Sequence, residues 1–468
     1  MEHFDVAVLG MGPGGEVAAG RLIKAGKKVA VIERELIGGE CAYWACIPSK
    51  TLLRPGEART AVERAPGVSG AKLSWSDASD YRDYMIRNLD DTAQIERYER
   101  DGATVIKGEA VVTAPGTIRV GNRELTAEHI IIATGTEPII PALDGIDEIT
   151  AWTNRETYTT KTLPKSAVII GGSAVGIETV TFLASFGVQV TLIHRGNSLL
   201  GREEPRVGEL ALKYLTEAGV NIRLGVSATK ARRVDSLSVL ELDDETEVSA
   251  EVIIFATGRK PRTQNLGFES AGVVLGETGQ VTVDEHCRAA KNVWAVGDVT
   301  AILPFTHVAK YQGRVVADSI VGGEPKATYQ GIPRVVFTDP EIAAAGLTQA
   351  QADAQGMKTR AIEIDLAKSI SRPWSYEENP RGHLSLLADT ERNVLVGAWA
   401  IAPLAGEWIH LASLAIRLEI PLDTLLDQVP QYPSYTEAYL TALERLILMT
   451  DQDTPSSSLN AMPLSSAT

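Results

Sequence analysis

The chain has 468 residues, of which 44% are hydrophobic and 22% are charged, and its net charge at pH 7 is −15. The length predicts about two to four domains, and the acidic balance argues against nucleic acid or a membrane as a partner, because their anionic surfaces bind basic patches. No apolar run is long enough to span a bilayer and no signal segment opens the chain, so we expect a cytoplasmic protein.

The first predicted element is a dinucleotide-binding βαβ unit. A buried strand at Phe4–Gly10 leads through a glycine-rich turn into a helix that ends near Ala25, and Lys28–Glu33 forms the next strand. The turn fits the pattern G-x-G-x-x-G, in which free amides at the start of the helix bind a pyrophosphate. Glu33 lies at the end of the second strand, where a carboxylate binds a ribose diol and repels a 2′-phosphate. The turn residues expected to hold this cofactor are Gly10, Gly12, Pro13, Gly14 and Gly15.

Two cysteines, Cys41 and Cys46, follow this unit in a chain that has three. In a reducing compartment, so close a pair is more often catalytic or metal-binding than structural. Beside a redox cofactor it indicates an electron relay, whereas the alternative, a zinc site, lacks a second Cys/His pair at ligand spacing. The remaining thiol, Cys287, lies in a strand-like run with no partner, and we expect it to be structural.

The spacing of the pair also limits its local structure. Five residues of regular helix rise about 7.5 Å, whereas a disulfide holds its two Cα atoms about 4.4–6.8 Å apart. We therefore expect Cys41 in the turn that enters a helix and Cys46 in the first helical turn, where free amides lower a thiol pKa. Lys50 follows Cys46 by four residues and shares its helix face.

A second βαβ unit occupies the middle of the chain, with strands at Ser166–Gly171 and Gln189–His194. The position that would carry the acid in this unit is His194, and Arg195 follows it. Basic groups there suit a 2′-phosphate, so we expect NADP(H), with NAD(H) also possible. The alternative is that both residues only cover a solvated strand end. The residues expected to bind this cofactor are Gly171, Ser173, Gly176, His194 and Arg195.

A strand that ends in Ala-Thr-Gly occurs twice, at Ile130–Gly135 and at Val252–Gly258. Small residues at such a turn let the backbone approach a ligand. We therefore expect Thr134, Gly135 and Gly258 to lie beside the cofactors.

From about residue 326 the pattern of predicted elements changes. Alternating strands such as Val335–Phe337 and His383–Leu387 mix with helices such as Trp408–Arg417, which predicts an α+β domain. The tail at 451–468 is rich in serine and lacks apolar periodicity, so we expect it to be disordered.

These motifs resemble those of the flavoprotein disulfide reductases, the family of dihydrolipoamide dehydrogenase, glutathione reductase and mercuric reductase. The resemblance covers nearly all of residues 4 to 447 and implies an α/β fold with two Rossmann-like dinucleotide-binding domains, as in glutathione reductase, plus a C-terminal α+β dimerisation domain. It also implies that the first cofactor is FAD and that the protein is a homodimer with active sites at the interface. The matching segments are Cys41-x-x-x-x-Cys46-Ile47-Pro48-Ser49-Lys50, Val293–Asp298, Thr306–Ala309, Ile332–Pro333 and Phe337–Glu341.

The resemblance implies domain bounds and further roles. Residues 1–147 and 288–325 would bind FAD, 148–287 would bind NAD(P), and 326–450 would form the dimer. Asp298 would bind the ribityl chain, and Thr306 and His307 would lie near the pyrimidine end of the flavin. Lys50 would face the flavin and pair with Glu178. The remaining expected FAD contacts are Arg34, Gly39, Glu40, Cys41, Lys50 and Ala110, and no bound metal is expected.

In the implied relay, NADPH reduces the flavin, the flavin reduces the disulfide at Cys46, and Cys41 engages the substrate. In the thiol–disulfide members, a histidine of the partner subunit acts as general base and a glutamate orients it. Here Glu437 is present, but the histidine position is Tyr432, whose phenol, with a pKa of about 10, cannot shuttle a thiol proton at neutral pH. The alternative is that His410 or another group substitutes.

The expected function is therefore that of an FAD-dependent NADPH oxidoreductase whose acceptor is an unusual disulfide or a quinone-like small molecule. A mercuric-reductase-like metal reductase is an alternative, because mercuric reductases also place a tyrosine at the position of Tyr432, although no C-terminal cysteine pair is present here to deliver the metal. Dihydrolipoamide dehydrogenase is another. A non-enzymatic redox sensor is a third, and the intact relay of Cys41, Cys46, Lys50 and Glu178 argues against it.

Overall fold

The computed structural model of the protein describes residues 1–448. The tail at 451–468, for which we expect disorder, lies outside the described residues. The chain divides into two compact units. The first consists of Met1–Glu63, Gly67–Tyr329 and Val336–Asp339, and the second of Arg64–Pro66, Gln330–Val335 and the chain from Pro340 onward.

An eight-stranded sheet lies at the start of the first unit. Its strand Glu2–Leu9 pairs in parallel with Val29–Glu33 on one side and with Arg123–Ile132 on the other. Every residue of Val29–Glu33 is buried, as expected for an apolar run in a parallel sheet that is covered on both faces. The strand order is Arg288–Ala290, Val293–Ala295, Arg123–Ile132, Glu2–Leu9, Val29–Glu33 and Thr104–Lys107, and the hairpin of Ala110–Ala114 and Thr117–Val120 joins Arg123–Ile132.

Helices pack against this sheet. Pro13–Lys24 and Thr306–Ile320 approach each other closely, since a Cβ at Gly313 would meet the carbonyl oxygen of Gly14. The other helices of this part of the chain are Gly39–Tyr43, Cys46–Arg64, Trp75–Met85 and Thr92–Arg100, with 3₁₀ turns at Arg87–Leu89, Phe268–Ala271 and Gly297–Thr300.

A five-stranded parallel sheet forms the second half of the first unit. The chain crosses into and out of it through a two-stranded ribbon, in which Thr136–Pro138 pairs with Arg259–Pro261. The strand order is Asn221–Leu224, Gln189–His194, Ser166–Ile170, Val252–Phe255 and Ala151–Trp152. The strands Ala228–Val234, Leu237–Leu242 and Glu247–Ala250 form an antiparallel layer, and the helices are Asn154–Thr159, Ala174–Ser185 and Pro205–Glu217, with a 3₁₀ turn at Ile146–Glu148.

The second unit is built on an antiparallel sheet with helices packed against it. Its strand Val394–Ala402 is buried at every residue, and Tyr439 lies in the same core. The strand order is Pro333–Val336, Glu341–Gly346, Val394–Ala402, His383–Asp389 and Thr359–Asp365. The helices are Gln349–Ala354, Leu366–Ser369, Arg372–Tyr376, Ala405–Trp408, His410–Arg417, Leu422–Leu426 and Glu437–Leu448.

Several predicted elements differ in detail from the structure. The strand predicted to lead into the Ala-Thr-Gly turn at 133–135 does end at Ile132, whereas the strand predicted over Val335–Phe337 ends at Val336. The helix predicted over Trp408–Arg417 is divided in two, with the second part beginning at His410. Between residues 1 and 448, no helix has both the length and the apolar character that a bilayer crossing requires.

Cys287 also differs from its prediction. It does not lie in a strand but has a positive φ of 63° just before the strand Arg288–Ala290. It also has a partner, because its buried thiol contacts the hydroxyl of Tyr329. Burial raises the pKa of Cys287 to about 11, so this thiol is unreactive at neutral pH, in agreement with a structural role.

Candidate active site

The first glycine-rich turn has the shape of a pyrophosphate cradle. Gly10 has a φ of +98°, and a Cβ there would meet the carbonyl oxygen of Ala133; a Cβ at Gly15 would meet the carbonyl oxygen of Gly10. Both positions therefore require glycine. A Cβ at Gly12 would meet nothing within 4 Å, so the space above the N-terminus of the helix that begins at Pro13 is open. An anion fits that space, because the first amides of a helix have no partner within it.

Glu33 lies directly beneath this turn. Its two carboxylate oxygens accept hydrogen bonds from the backbone amides of Met11 and Glu35, each at 2.7 Å. Burial raises the pKa of Glu33 above its ordinary value, although the two amide bonds lower it. The carboxylate is thus fixed at the end of the second strand, beneath the glycine-rich turn.

The other residues expected at FAD are distributed around the same sheet. Asp298 lies in the 3₁₀ turn after Val293–Ala295, and Thr136 donates a hydrogen bond to its carboxylate at 3.2 Å. The hydroxyl of Thr134 instead bonds the backbone carbonyl of Arg262 at 2.7 Å. The neighbouring Gly135 has a positive φ, Ala110 opens a strand, and His307 is exposed beside Thr306 on the helix Thr306–Ile320.

Of the expected FAD contacts, Gly39 lies against the first glycine-rich turn, whereas Arg34 lies at the surface. A Cβ at Gly39 would lie 2.9 Å from the Cα of Gly12, so the segment that carries the first cysteine is in van der Waals contact with the phosphate turn. Arg34, in contrast, is paired at the surface with Glu109 at 2.9 Å.

The second glycine-rich turn repeats the first with a different partner. The backbone amide of Gly172 donates to Nδ1 of His194 at 3.2 Å, in the position that corresponds to the bond from Met11 to Glu33. Burial and the nearby Arg195 lower the pKa of His194, so its imidazole is neutral and can accept at Nδ1. The guanidinium of Arg195 is exposed at the strand end.

The glycines of this second turn are close-packed against neighbouring backbone. A Cβ at Gly171 would meet the carbonyl oxygen of Ala256, and a Cβ at Gly176 would meet that of Gly171. Ser173 precedes the helix Ala174–Ser185 and its side chain does not cap it. Gly258 has a φ of +120°.

The two cysteines lie together on successive helices. Cys41 lies within the one-turn helix Gly39–Tyr43 rather than in a turn, and Cys46 begins the helix Cys46–Arg64 as expected. Both are free thiols and half-buried. The hydroxyl of Thr306 lies 3.3 Å from the sulfur of Cys46.

The two thiols have opposite pKa shifts. The hydrogen bond from Cys41, together with Thr306 and the charge of Lys50, lowers the pKa of Cys46 to about 6 despite its burial. The same hydrogen bond and burial raise the pKa of Cys41 well above its ordinary value. The main cause is therefore the neighbouring thiol, not the helix amides, and Cys46 is the thiolate of the pair.

Lys50 and Glu178 form the ion pair that the resemblance implies. Nζ of Lys50 lies 2.6 Å from Oε2 of the buried Glu178, and the amide of Phe337 donates to Oε1 at 3.1 Å. The Lys50 ammonium also lies 4.7 Å from the centroid of the Phe337 ring. The pair brings a balanced charge close to Cys46, whose pKa Lys50 lowers and Glu178 raises.

A charged cluster beside the cysteines was missed by the sequence analysis. The guanidinium of Arg155 makes a two-point contact with Glu35 and also bonds Glu40, the residue before Cys41. It lies 4.1 Å from the ring centroid of Trp44. A capping box of Thr153 and Glu156 encodes the helix that carries Arg155, but no local pattern encodes these contacts.

Tyr432 and Glu437 lie in the second unit. The Tyr432 side chain is 71% exposed, and its hydroxyl is 3.4 Å from that of Ser371. The carboxylate of Glu437 accepts a hydrogen bond from the amide of Ser434 at 2.9 Å. His410 is exposed at the start of its helix. Among residues 1–448, no group of three or more His, Cys, Asp and Glu side chains is arranged to hold a metal ion.

Comparison with known proteins identifies the class. Residues 4–313 match the pyridine nucleotide-disulphide oxidoreductase family, and residues 332–443 match the dimerisation domain of that family. The chain therefore belongs to the pyridine nucleotide-disulphide oxidoreductases. They are FAD-dependent enzymes that use NAD(P)H, which confirms the expected fold and cofactors and sets aside the non-enzymatic sensor.

The individual relatives are named for different activities. The chain is 30% identical to mercuric reductase of Staphylococcus aureus, over 93% of this chain and 81% of that protein. It is 31% identical to dihydrolipoyl dehydrogenase of Geobacillus stearothermophilus, over 94% of this chain and 95% of that protein. Among solved structures, the Cu(II) complex of the HOCl-induced flavoprotein disulfide reductase RclA from Escherichia coli has a TM-score of 0.85 and 25% identity, over 95% of this chain and 100% of that one.

Proposed function

We propose that this enzyme passes electrons from NADPH, by way of FAD and the Cys41–Cys46 pair, to a thiophilic metal ion such as Hg(II) or Cu(II). The observation that carries the proposal is the pair of adjacent thiols, of which Cys46 is the thiolate, in a chain that has Tyr432 where a general base would be needed. A metal ion needs no such base, because it displaces the thiol proton when it binds.

The residues present fit both nucleotides. FAD would be held by the open cradle at Gly12, the carboxylate of Glu33 and the buried carboxyl group of Asp298. NADPH would be held by the turn at Gly171 together with Arg195. FAD, when bound, supplies two-electron transfer between a nicotinamide and a disulfide. The exposed Arg195 supports NADPH over NADH, because a guanidinium binds a 2′-phosphate.

The roles of the chain's own groups follow from the thiol pKa values. Cys46 would hold negative charge next to the flavin, stabilised by the hydroxyl of Thr306 and by the ammonium of Lys50. Cys41, whose thiol keeps its proton, would be a poor nucleophile toward a disulfide. It becomes a strong ligand once a soft cation replaces that proton.

The electron count agrees with either metal. Reduction of Hg(II) to Hg(0) takes two electrons, which one NADPH supplies, and reduction of Cu(II) to Cu(I) takes one, so that one NADPH would serve two ions. The names of the relatives support both metals as candidates, since one relative is a mercuric reductase and another forms a Cu(II) complex. The quinone-like and disulfide acceptors expected from the sequence, including lipoamide, are the competing outcomes.

We further propose a homodimer in which Tyr432 and Glu437 complete the active site of the partner subunit. The family's dimerisation domain at residues 332–443 supports the dimer. The exposure of Tyr432 within one chain supports its role at another. The cytoplasmic location stays a prediction from the sequence.

The test is an acceptor panel with purified FAD-loaded enzyme and NADPH consumption as the readout. The acceptors are mercuric chloride, cupric chloride, a water-soluble quinone, glutathione disulfide and lipoamide. We expect consumption with one or both metals that is lost in Cys41→Ser and kept in Cys287→Ser, the matched thiol control whose raised pKa makes it inert. Quinone reduction that survives in Cys41→Ser, with no response to either metal, would overturn the proposal.

A further inference from the structure

Trp44 lies between the two cysteines in the sequence, and an arginine from far along the chain covers its ring. The guanidinium of Arg155 lies 4.1 Å from the Trp44 ring centroid. A cation at this distance over an indole face gives a favourable cation–π contact, and the contact is stronger where water is partly excluded, as at these half-buried side chains.

Arg155 is itself fixed on its other edges. Its two terminal nitrogens bond the two oxygens of Glu35 at 2.9 and 2.8 Å, and its Nε bonds Glu40 at 2.9 Å. A two-point guanidinium–carboxylate contact sets direction as well as distance, which an ammonium cannot reproduce. Because Glu40 precedes Cys41, Arg155 is connected to both ends of the segment between the sulfurs.

The connection continues toward the flavin site. Asn154 donates to the backbone carbonyl of Trp44 at 2.7 Å and accepts from Arg259 at 3.2 Å. Arg259 donates to the hydroxyl of Thr136 at 2.8 Å, and Thr136 donates to Asp298. The redox segment and the aspartate expected to bind the ribityl chain are therefore joined by an unbroken series of polar contacts.

We propose that Arg155 is a positioning residue that, through Trp44 and Glu40, holds Cys41 against Cys46 after their disulfide opens. This inference rests on the relay proposed above. We call Arg155, Trp44 and Glu40 the clamp. Without it, the reduced Cys41 would sample positions away from Cys46, and the effective concentration of one thiol at the other would fall. Reduction of the disulfide would then become easier and its closure slower.

The experiment measures the dithiol–disulfide equilibrium of the full-length, FAD-loaded protein in glutathione redox buffers. The redox state of Cys41 and Cys46 is read by alkylation and mass spectrometry. We expect the equilibrium of Arg155→Lys and of Trp44→Ala to shift toward the dithiol by about tenfold, which for two electrons corresponds to about 30 mV. Trp44→Phe keeps an aromatic face and should stay within about twofold of wild type.

The matched control is Arg232→Lys. Arg232 also binds a carboxylate: one of its terminal nitrogens contacts both oxygens of Glu247, at 2.7 and 2.8 Å, on the antiparallel layer of Ala228–Val234. It should leave the equilibrium unchanged. In stopped flow, reduction of FAD by NADPH should keep its rate in all variants, because Arg155 and Trp44 lie at the segment that carries the cysteines, whereas NADPH is expected at the turn that begins at Gly171.

The outcomes separate the inference from the proposed relay. If the cysteines of the wild-type protein do not interconvert between dithiol and disulfide when NADPH is added, the relay fails. If they do, and Arg155→Lys and Trp44→Ala both keep the wild-type equilibrium, the clamp fails. Should Arg155→Lys not fold, the comparison of Trp44→Ala with Trp44→Phe decides the question alone.

Discussion

At the residue scale, the pKa values of the two thiols differ because each thiol shifts the pKa of the other. A hydrogen bond between two thiols can stabilise only one thiolate, and the charge of Lys50 favours the thiolate at Cys46, whose pKa it lowers. Cys41 keeps its proton as a consequence. An enzyme that must attack disulfides needs a base to remove that proton, whereas an enzyme that binds soft cations does not.

The thiolate gives the reduced enzyme a defined pH dependence. The pKa of Cys46 lies at about 6, below its ordinary value of 9.0, so the thiolate is present above pH 6 and protonated below it. The long-wavelength thiolate-to-flavin absorbance of the NADPH-reduced enzyme should therefore be constant from pH 9 to 7.5 and half lost near pH 6. Thr306→Val removes one hydrogen bond to the thiolate and should move the midpoint to higher pH. A band that persists unchanged at pH 5, or one that remains in Cys46→Ser, would contradict the assignment.

Nucleotide preference also depends on single residues. His194→Glu with Arg195→Ala replaces the basic strand end with the carboxylate that binds a ribose diol. The ratio of kcat/KM for NADPH to that for NADH should fall by at least about tenfold, since a hydrogen bond to a charged group contributes about 1.5–3 kcal/mol. Lys213→Ala removes another exposed cation of the same half of the chain and serves as the control. An unchanged ratio would mean that both residues only cover a solvated strand end.

At the scale of elements, the phosphate turns depend on backbone packing that admits no side chain. Gly15→Ala would force a methyl group against the carbonyl oxygen of Gly10 and displace the first helical turn. We expect a loss of about 1–3 kcal/mol in the free energy of unfolding, together with weaker FAD retention after gel filtration. Gly20→Ala, in the same helix, meets nothing within 4 Å and should gain about 0.5–1 kcal/mol. Equal effects of the two substitutions would show that the turn is not close-packed.

The bounds of strands could be predicted from the sequence, whereas contacts between distant parts of the chain could not. Periodicity and glycine spacing predicted the strands Glu2–Leu9 and Gln189–His194 to within about two residues, because these signals are local. The contacts of Arg155 were out of reach, since its partner Glu40 lies 115 residues away and ion pairs leave no periodic pattern. The positive φ of Cys287 was also missed, because a single left-handed residue beside a strand leaves no periodic signal and only the packed structure shows the turn.

At the scale of the whole molecule, the proposed dimer divides each active site between two chains. In that proposal, the sulfurs would come from the N-terminal part of one subunit, and Tyr432 with Glu437 would come from the dimerisation domain of the other. An isologous twofold interface makes this exchange reciprocal, so that each dimer has two equivalent composite sites. A single chain would then hold all the residues of a site without being able to assemble one.

Subunit mixing tests this arrangement. Cys41→Ser and Tyr432→Ala homodimers should both have little metal-dependent NADPH oxidation. After the two are unfolded, mixed in equal amounts and refolded with FAD, half of the dimers are mixed, and each mixed dimer has one site with both residues intact. Activity should recover to about one quarter of wild type. The control mixes Cys41→Ser with Cys46→Ser, whose altered residues fall in the same site half, and should recover nothing. Full activity of the Tyr432→Ala homodimer, or no recovery when Cys41→Ser is mixed with Tyr432→Ala, would place Tyr432 outside the partner's active site.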